Sequence, residues 1–370
     1  MKFNTILKVT FAALITMTIS SQLKADWDLD SDENEGFQTL RVYLDVDDDI
    51  DETHVLIDEV LGEVILQITE YRNGIIVDLE TREYDLGSFH QFAVYGGTNS
   101  VNVMRNPTFQ LDQISPIGEV LFYGGALDDD LQSADLIVGY EGNDLLKNAT
   151  LIHGGEGDDE IWNTNEAFGF AGNDTINNAW VAWGGEGDDV ITYGIHPGFT
   201  RPDVANIFGG PGDDYIRFNV PCNYSIRGDE GNDHIVGSDY NNVIHGGAGD
   251  DFIIGGAGND NLFGDQGDDT LHGMAGNDIL FGSSGFDNLW GWEGDDHIIP
   301  GDYVEIEGYG FGNSGADRIY VKWDDFQIAY FADDFNPREG DRIIYQYSPA
   351  PVAFGVGAWQ FNQAELMPNN

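Results

Sequence analysis

From Gly228 onward the chain sets one aliphatic residue every nine positions into a background of glycine, aspartate and asparagine. Written as GGxGxDxUx, eight units run without a gap from Gly228, Gly237, Gly246, Gly255, Gly264, Gly273, Gly282 and Gly291. Position 8 holds Ile235, Ile244, Ile253, Leu262, Leu271, Leu280, Leu289 and Ile298. Glycine and aspartate suit neither helix interiors nor strands, so the period predicts turns over positions 1 to 6. Positions 7 to 9 then form a very short strand whose middle residue faces inward.

Upstream the motif recurs from Gly124, Gly139, Gly154, Gly169 and Gly184, spaced by fifteen, and again from Gly209. Its aliphatic residues there are Leu131, Leu146, Ile161, Ile176, Ile191 and Ile216. Six residues, SADLIV, NATLIH, NTNEAF or NAWVAW, join successive motifs, with Ile137, Ile152, Ala167 and Ala182 where a second position 8 would fall. The shortened half is expected to keep its core contact and lose its Gly/Asp turn. GGTNSVNVM from Gly96 keeps Val103 but has Val101 at position 6, which makes it a non-binding edge unit.

Two nonapeptides per coil predict an all-β parallel β-roll, a right-handed solenoid with turns stacked on two sides. The turns from Gly124, Gly139, Gly154, Gly169, Gly184, Gly209, Gly228, Gly246, Gly264 and Gly282 fall in one column. Those from Gly237, Gly255, Gly273 and Gly291 fall in a shorter one. Residues 193–208, with two prolines, predict an excursion before the coil resumes.

Outside the array, LGEVILQITEYRNGIIVDL predicts a hairpin turning at Asn73-Gly74. VEIEGY, DRIYVKW, QIAYF and DRIIYQY predict a β-rich end piece. The expected organisation is 1–25 leader, 26–95 acidic β-rich cap, 96–302 roll, and 303–370 β-rich cap.

Sixty-six acidic residues face fifteen basic ones, giving a net charge of −51. Such a chain is a poor partner for nucleic acid or anionic membranes and a good one for cations. Residues 1–25 have Lys2 and Lys8 before the apolar run Val9 to Ile19 and end on Ala25, the pattern of a secretory signal peptide. Its removal would take the charge to −54 by deleting three lysines. No later run is long enough for a transmembrane helix. The lone Cys222 excludes a disulfide framework.

Position 6 carries the chemistry. It holds Asp129, Asp144, Asp159, Asp174, Asp189, Asp214, Asp233, Asp251, Asp260, Asp269, Asp278, Asp287 and Asp296, with Asn242 as the exception. Coils about 4.8 Å apart would bring these carboxylates within roughly 1 to 3 kcal/mol of mutual repulsion per pair. A hard divalent cation held by carboxylate and backbone carbonyl oxygens would relieve it.

These repeats resemble the RTX, or hemolysin-type, calcium-binding nonapeptide family. The resemblance implies a parallel β-roll with calcium between successive turns, ligated by the thirteen position 6 aspartates and turn carbonyls, with about twelve ions as an upper estimate. Asn242 and Tyr240 in the unit from Gly237, Leu127 in the first unit and Phe286 in the unit from Gly282 depart from the pattern. GADRIYV from Gly315 and DDFNPREGDRI from Asp333 resemble the segment that closes such rolls in secreted proteases.

No HExxH or GxSxG motif is present. Gly310, Gly312 and Gly315 satisfy GxGxxG, but a strand-like run follows. DLDSDENEG from Asp28 and DVDDDIDE from Asp45 lack the glycine and glutamate of an EF-hand loop and are expected to be solvated acidic segments. His153, His234, His245, His272 and His297 are expected on the roll surface rather than as ligands. At position 9, Val236, Ile254 and Trp290 are expected on one outer face and Phe263, Phe281 and Ile299 on the other, interrupted by His272 and His245, as structural ladders. The expected function is an exported calcium-binding protein, extracellular and cell-surface associated, with a structural or adhesive role toward a protein or carbohydrate surface and without a catalytic site. A secreted calcium-dependent hydrolase or polysaccharide-modifying enzyme is the alternative.

Overall fold

The computed structural model describes residues 27–31, 38–43, 52–60, 63–72, 75–85, 91–95, 100–105, 119–193, 204–218, 223–299, 307–314, 318–322 and 342–346. Every described element is a strand, as the all-β expectation required. The leader, QIAYF, and most of the excursion at 193–208 lie outside the described residues. The chain divides into two compact units, Met1–Glu186 and Gly187–Asn370.

The first unit begins with antiparallel pairs. Trp27–Ser31, part of one acidic run, pairs with Gln38–Tyr43, and Glu52–Val60, Glu63–Arg72 and Ile75–Asp85 form a meander. Arg72 opposes Ile75, so two residues separate the paired strands, as the Asn73-Gly74 reading predicts. From there everything is parallel. Gln38–Tyr43 continues through Gln91–Tyr95, Glu119–Tyr123 and Leu136–Glu141. Glu52–Val60 continues through Ser100–Arg105, Asp130–Gln132 and Leu145–Glu156. Val103 is buried opposite Leu131, which places the edge unit in register with the roll.

The fifteen-residue coils form the strands Leu145–Glu156, Glu160–Ala171 and Thr175–Glu186. Each takes in the six joining residues, and Ile137, Ile152, Ala167 and Ala182 are fully buried as expected. The short half still needs a corner, and the first joining residue supplies it. Ser133, Asn148, Asn163 and Asn178 all have positive φ, between 57° and 69°. Asparagine is the non-glycine residue that best tolerates this conformation. The Asn163 amide also donates to Asn148 Oδ1, and that of Asn178 to Asn163 Oδ1, each at 3.1 Å. A hydrogen-bonded asparagine ladder therefore replaces the missing Gly/Asp turns.

In the second unit, strands alternate between the two sides of the coil. Asn223–Glu230, Val243–Ala248, Asn261–Gln266 and Ile279–Ser284 stack on one side. His234–Val236, Phe252–Ala257, Thr270–Ala275 and Phe286–Glu293 stack on the other. The parallel register continues through Glu307–Ser314, Arg318–Lys322 and Arg342–Gln346. The GxGxxG glycines Gly310 and Gly312 thus lie in a strand, and another strand follows. All fourteen position 8 residues are buried, with exposures of 0 or 1 %.

One expectation needs correction. Most strands do not stop at position 9 but run through position 3 of the next unit, as in Phe252–Ala257, which confines the tight turn there to positions 4 to 6; His234–Val236, ahead of the Gly237 turn, does stop at position 9. Positive φ falls at positions 2 and 4 (Gly247 and Gly249, for example), whereas the position 1 glycines lack it. Position 1 is glycine for space. A Cβ on Gly154 would overlap Asp159 Oδ2 and lie 2.8 Å from the Gly169 carbonyl oxygen.

Replacing Asn163 by Ala should remove both ladder bonds and strain the corner, lowering stability by about 1 to 3 kcal/mol. Thermal unfolding of the calcium-loaded chain measures this. Leu271→Ala should cost more, about 2 to 5 kcal/mol.

Candidate metal centre

Apart from Asp129, whose turn has Leu127 at position 4 and follows a strand that ends at Tyr123, each position 6 aspartate is carried to the same place by its own turn: the strand ends at position 3, glycine reverses the chain at position 4, and the carboxyl folds back over the position 1 glycine. All thirteen are at most 3 % exposed. Within the first unit, the Asp129 N–H donates to Asp144 Oδ1, Asp144 to Asp159 and Asp159 to Asp174, at 2.7–2.8 Å. In the second unit, one ladder runs from Asp189 through Asp214, Asp233, Asp251 and Asp269 to Asp287. A shorter one on the other side runs from Asn242 through Asp260 and Asp278 to Asp296. Within each unit, the expected columns are the observed ones.

Polar accounting shows what these ladders lack. The backbone N–H and Oδ1 of each interior rung are paired along the ladder, and its carbonyl accepts from the position 7 amide of a neighbouring coil, as Asp144 does from Glu160 at 2.7 Å. Oδ2 is different. In Asp144, Asp159, Asp214, Asp233, Asp251, Asp260, Asp269, Asp278 and Asp287 it is buried without a hydrogen-bond donor. It also faces other oxygens: a Cβ on Gly264 would overlap Asp269 Oδ2 and lie 2.8 Å from the Gly282 carbonyl. A buried anionic oxygen among carbonyls costs several kcal/mol unless a cation or a proton joins them.

Burial accordingly pushes these carboxyls up, against the lowering effect of the donated backbone N–H and with help from neighbouring aspartates. Asp159, Asp214 and Asp251 rise to about 8, Asp144, Asp269 and Asp278 to about 7. Asp287 rises likewise to about 7, and Asp174 and Asp233 to about 6. Asp260 reaches about 6 and also accepts from the Asn242 side chain. Among the described residues no three His, Cys, Asp or Glu side chains converge on one point. An ion here must draw on carboxylate Oδ2 atoms and turn carbonyls together, the oxygen-only set that calcium takes. The residues present fit calcium.

The structure adds a rung that sequence reasoning left out. Position 5 is Asp or Asn in every unit except that of Gly282, where Phe286 stands. Its backbone N–H donates to the position 5 side chain of the preceding coil, as Asn143 does to Asp128, Asp158 to Asn143 and Asp268 to Asp250. This outer ladder runs opposite in sense to the position 6 ladder and splints the same turns. Phe286 still donates its N–H to Asp268 but accepts nothing at that position. The signal was the restriction to Asp and Asn at a place the motif writes as x.

The model of the RTX calcium-binding nonapeptide repeat matches residues 181–195, 227–262, 254–289 and 272–302. The chain carries RTX calcium-binding repeats. No curated protein matches the sequence. The motifs from Gly124, Gly139, Gly154 and Gly169 lie outside the matched segments, yet they build the same aspartate ladder with the same buried Oδ2 atoms at Asp144 and Asp159. The RTX geometry therefore extends beyond the matched sequence.

The described histidines stay outside the RTX turns. His245 stacks on Phe263 and bonds Asp265 at 2.8 Å, while His272 stacks on Trp290 and accepts from Trp292 Nε1. His153 packs edge-on against Phe168 and Phe170. The position 9 residues pair as two series, Val236–Ile254–His272–Trp290 and His245–Phe263–Phe281–Ile299, on the sides expected.

Two outcomes follow from the ladder. Gly154→Ala should push Asp159 Oδ2 off its position and weaken calcium binding at that turn, read as a lower calcium stoichiometry by calorimetry. Carboxyls whose folded pKa lies above the unfolded value make the metal-free fold hold more protons than the unfolded chain between pH 4 and 8. Its stability should therefore fall as pH rises through that range. Calcium competes with those protons, so the calcium midpoint should move to higher concentration as pH drops from 8 to 6; chemical unfolding in chelator and calcium titration at each pH measure both.

Proposed function

We propose that this is an exported protein that folds as its RTX turns bind calcium outside the cell, and that it then serves as a structural or adhesive surface component without catalytic chemistry. The observation that carries the reading is the row of buried Oδ2 atoms facing carbonyl oxygens without a donor. Without cations the turns bury unpaired oxygens or retain protons; with calcium each ladder becomes a chain of bridged carboxylates. The concentration step between cytosol and exterior would hold the chain unfolded before export and fold it afterwards.

Export is supported by the leader-like composition of residues 1–25 and by the fact that RTX proteins are typically secreted. Among the described residues no helix is long and apolar enough to cross a membrane. About twelve calcium ions would lower the mature charge from −54 to roughly −30, still strongly acidic, which favours a hydrated surface component over a partner of anionic surfaces.

Far-UV circular dichroism of the full chain in chelator, followed by calcium titration with magnesium as the control, tests the reading. Weak structure in chelator and a cooperative gain of β signal at roughly 0.1 to 1 mM calcium are expected. A chain already folded in chelator and indifferent to calcium would sink it. Export has its own check: protein from the medium should begin at Asp26 by mass spectrometry.

A further inference from the structure

The turn from Gly237 heads the shorter ladder, and it is built differently from the three below it. Ser238 stands at position 2, Tyr240 at position 4 and Asn242 at position 6. Neither Ser238 nor Tyr240 takes the positive φ found at those positions in the next turn, at Gly256 and Gly258. Asn242 is 1 % exposed. Its Nδ2 donates toward the carbonyl oxygens of Ser238 at 3.2 Å, Gly255 at 3.4 Å and Tyr240, and toward Asp260 Oδ1 at 3.0 Å. Its Oδ1 accepts from Ser238 Oγ at 3.2 Å. The reverse amide orientation would set an oxygen against four acceptors, so chemistry fixes this one.

Nδ2 occupies the place that Oδ2 takes in the turns below. A Cβ on Gly237 would lie 3.1 Å from Asn242 Nδ2 and against the Gly255 carbonyl; a Cβ on Gly273 would lie against Asp278 Oδ2 and 2.9 Å from the Gly291 carbonyl. The next coil's position 1 carbonyl stands beside both atoms, but at Gly237 N–H groups face it instead of a lone pair. We infer that the Asn242 amide does the work of an ion here: the gap between the turns from Gly237 and Gly255 closes without metal, and the calcium-dependent gaps of this ladder begin at the next pair, where Asp260 Oδ2 has no donor. The closed gap is a preformed template on which the following turns stack, because coils of a solenoid are stabilised by their nearest neighbours.

The first motif of the other unit supplies a donor to its position 6 side chain from within its own turn. Leu127 replaces the position 4 glycine there, and Asp129 Oδ2 accepts the Gly125 N–H at 2.7 Å.

The inference rests on the reading that the other gaps hold calcium, and its test separates the two. Hydrogen exchange of the full chain in chelator and in calcium, with calcium stoichiometry by calorimetry, is compared for the native protein, Asn242→Asp and Asn242→Ala. In chelator the native amides of residues 242 and 261, which bond across this gap, should be protected at least tenfold more than those of residues 278 and 297, which bond across the last one. Asn242→Asp should lose that protection in chelator, regain it in calcium and bind one more ion. Asn242→Ala should lose it in both conditions with no added ion. Equal protection across the two gaps in the native protein, or an Asn242→Asp variant with unchanged protection and stoichiometry, would overturn the inference. A calcium-indifferent native protein in which residues 242 and 261 remain the better protected would instead sink the calcium reading and leave the closed gap standing.

Discussion

The structure depends on a buried carboxylate with one oxygen paired and the other facing oxygens. Every other regularity serves that arrangement. Glycine at position 1 leaves room for Oδ2 beside the next coil's position 1 carbonyl, and positive φ at positions 2 and 4 tightens the turn that carries it. The aliphatic residue at position 8 anchors the strand that follows. A nine-residue unit cannot bury much apolar surface, and one inward side chain per half-coil makes a thin core. The charge that would disperse the chain therefore has to be converted into its cement.

That conversion explains why two different short halves coexist. Where the coil carries Gly/Asp turns on both sides, both sides expose oxygens to a cation. Where it is shortened to fifteen residues, Asn148, Asn163 and Asn178 close the second side by neutral amide bonds that need neither metal nor a particular pH. The shortened coils also bury one further position per coil, Ala149, Thr164 or Ala179. The oxygens open to a cation are thus distributed unevenly along the described coils, set by which corner chemistry each coil uses.

Much of this was legible in the sequence because the determining residues repeat. The inward file, the two columns, and the side on which each position 9 residue lies follow from counting by nine and by fifteen. The strand boundaries did not, because position 1 glycine looks like a conformational requirement when it is a steric one. The asparagine corner was visible as the recurrent first residue of NATLIH, NTNEAF and NAWVAW, but its left-handed backbone was not, because asparagine adopts extended and turn conformations equally well elsewhere. The position 5 ladder was hidden for the opposite reason: Asp and Asn are interchangeable as acceptors of a neighbouring N–H, so the site tolerates either and reads as variable.

Asparagine and aspartate are not interchangeable one residue further on. At position 5 an exposed side chain only has to accept, and both residues accept. At position 6 the side chain is buried among carbonyls, so the identity of its second terminal atom decides whether the turn closes by itself or waits for a cation. Thirteen aspartates there and one asparagine, with the asparagine in the leading turn of its ladder, make the exchange of one atom type a positional signal. A departure from the repeat that looks like a lost site is, in its surroundings, a position 6 side chain whose hydrogen bonds complete the turn.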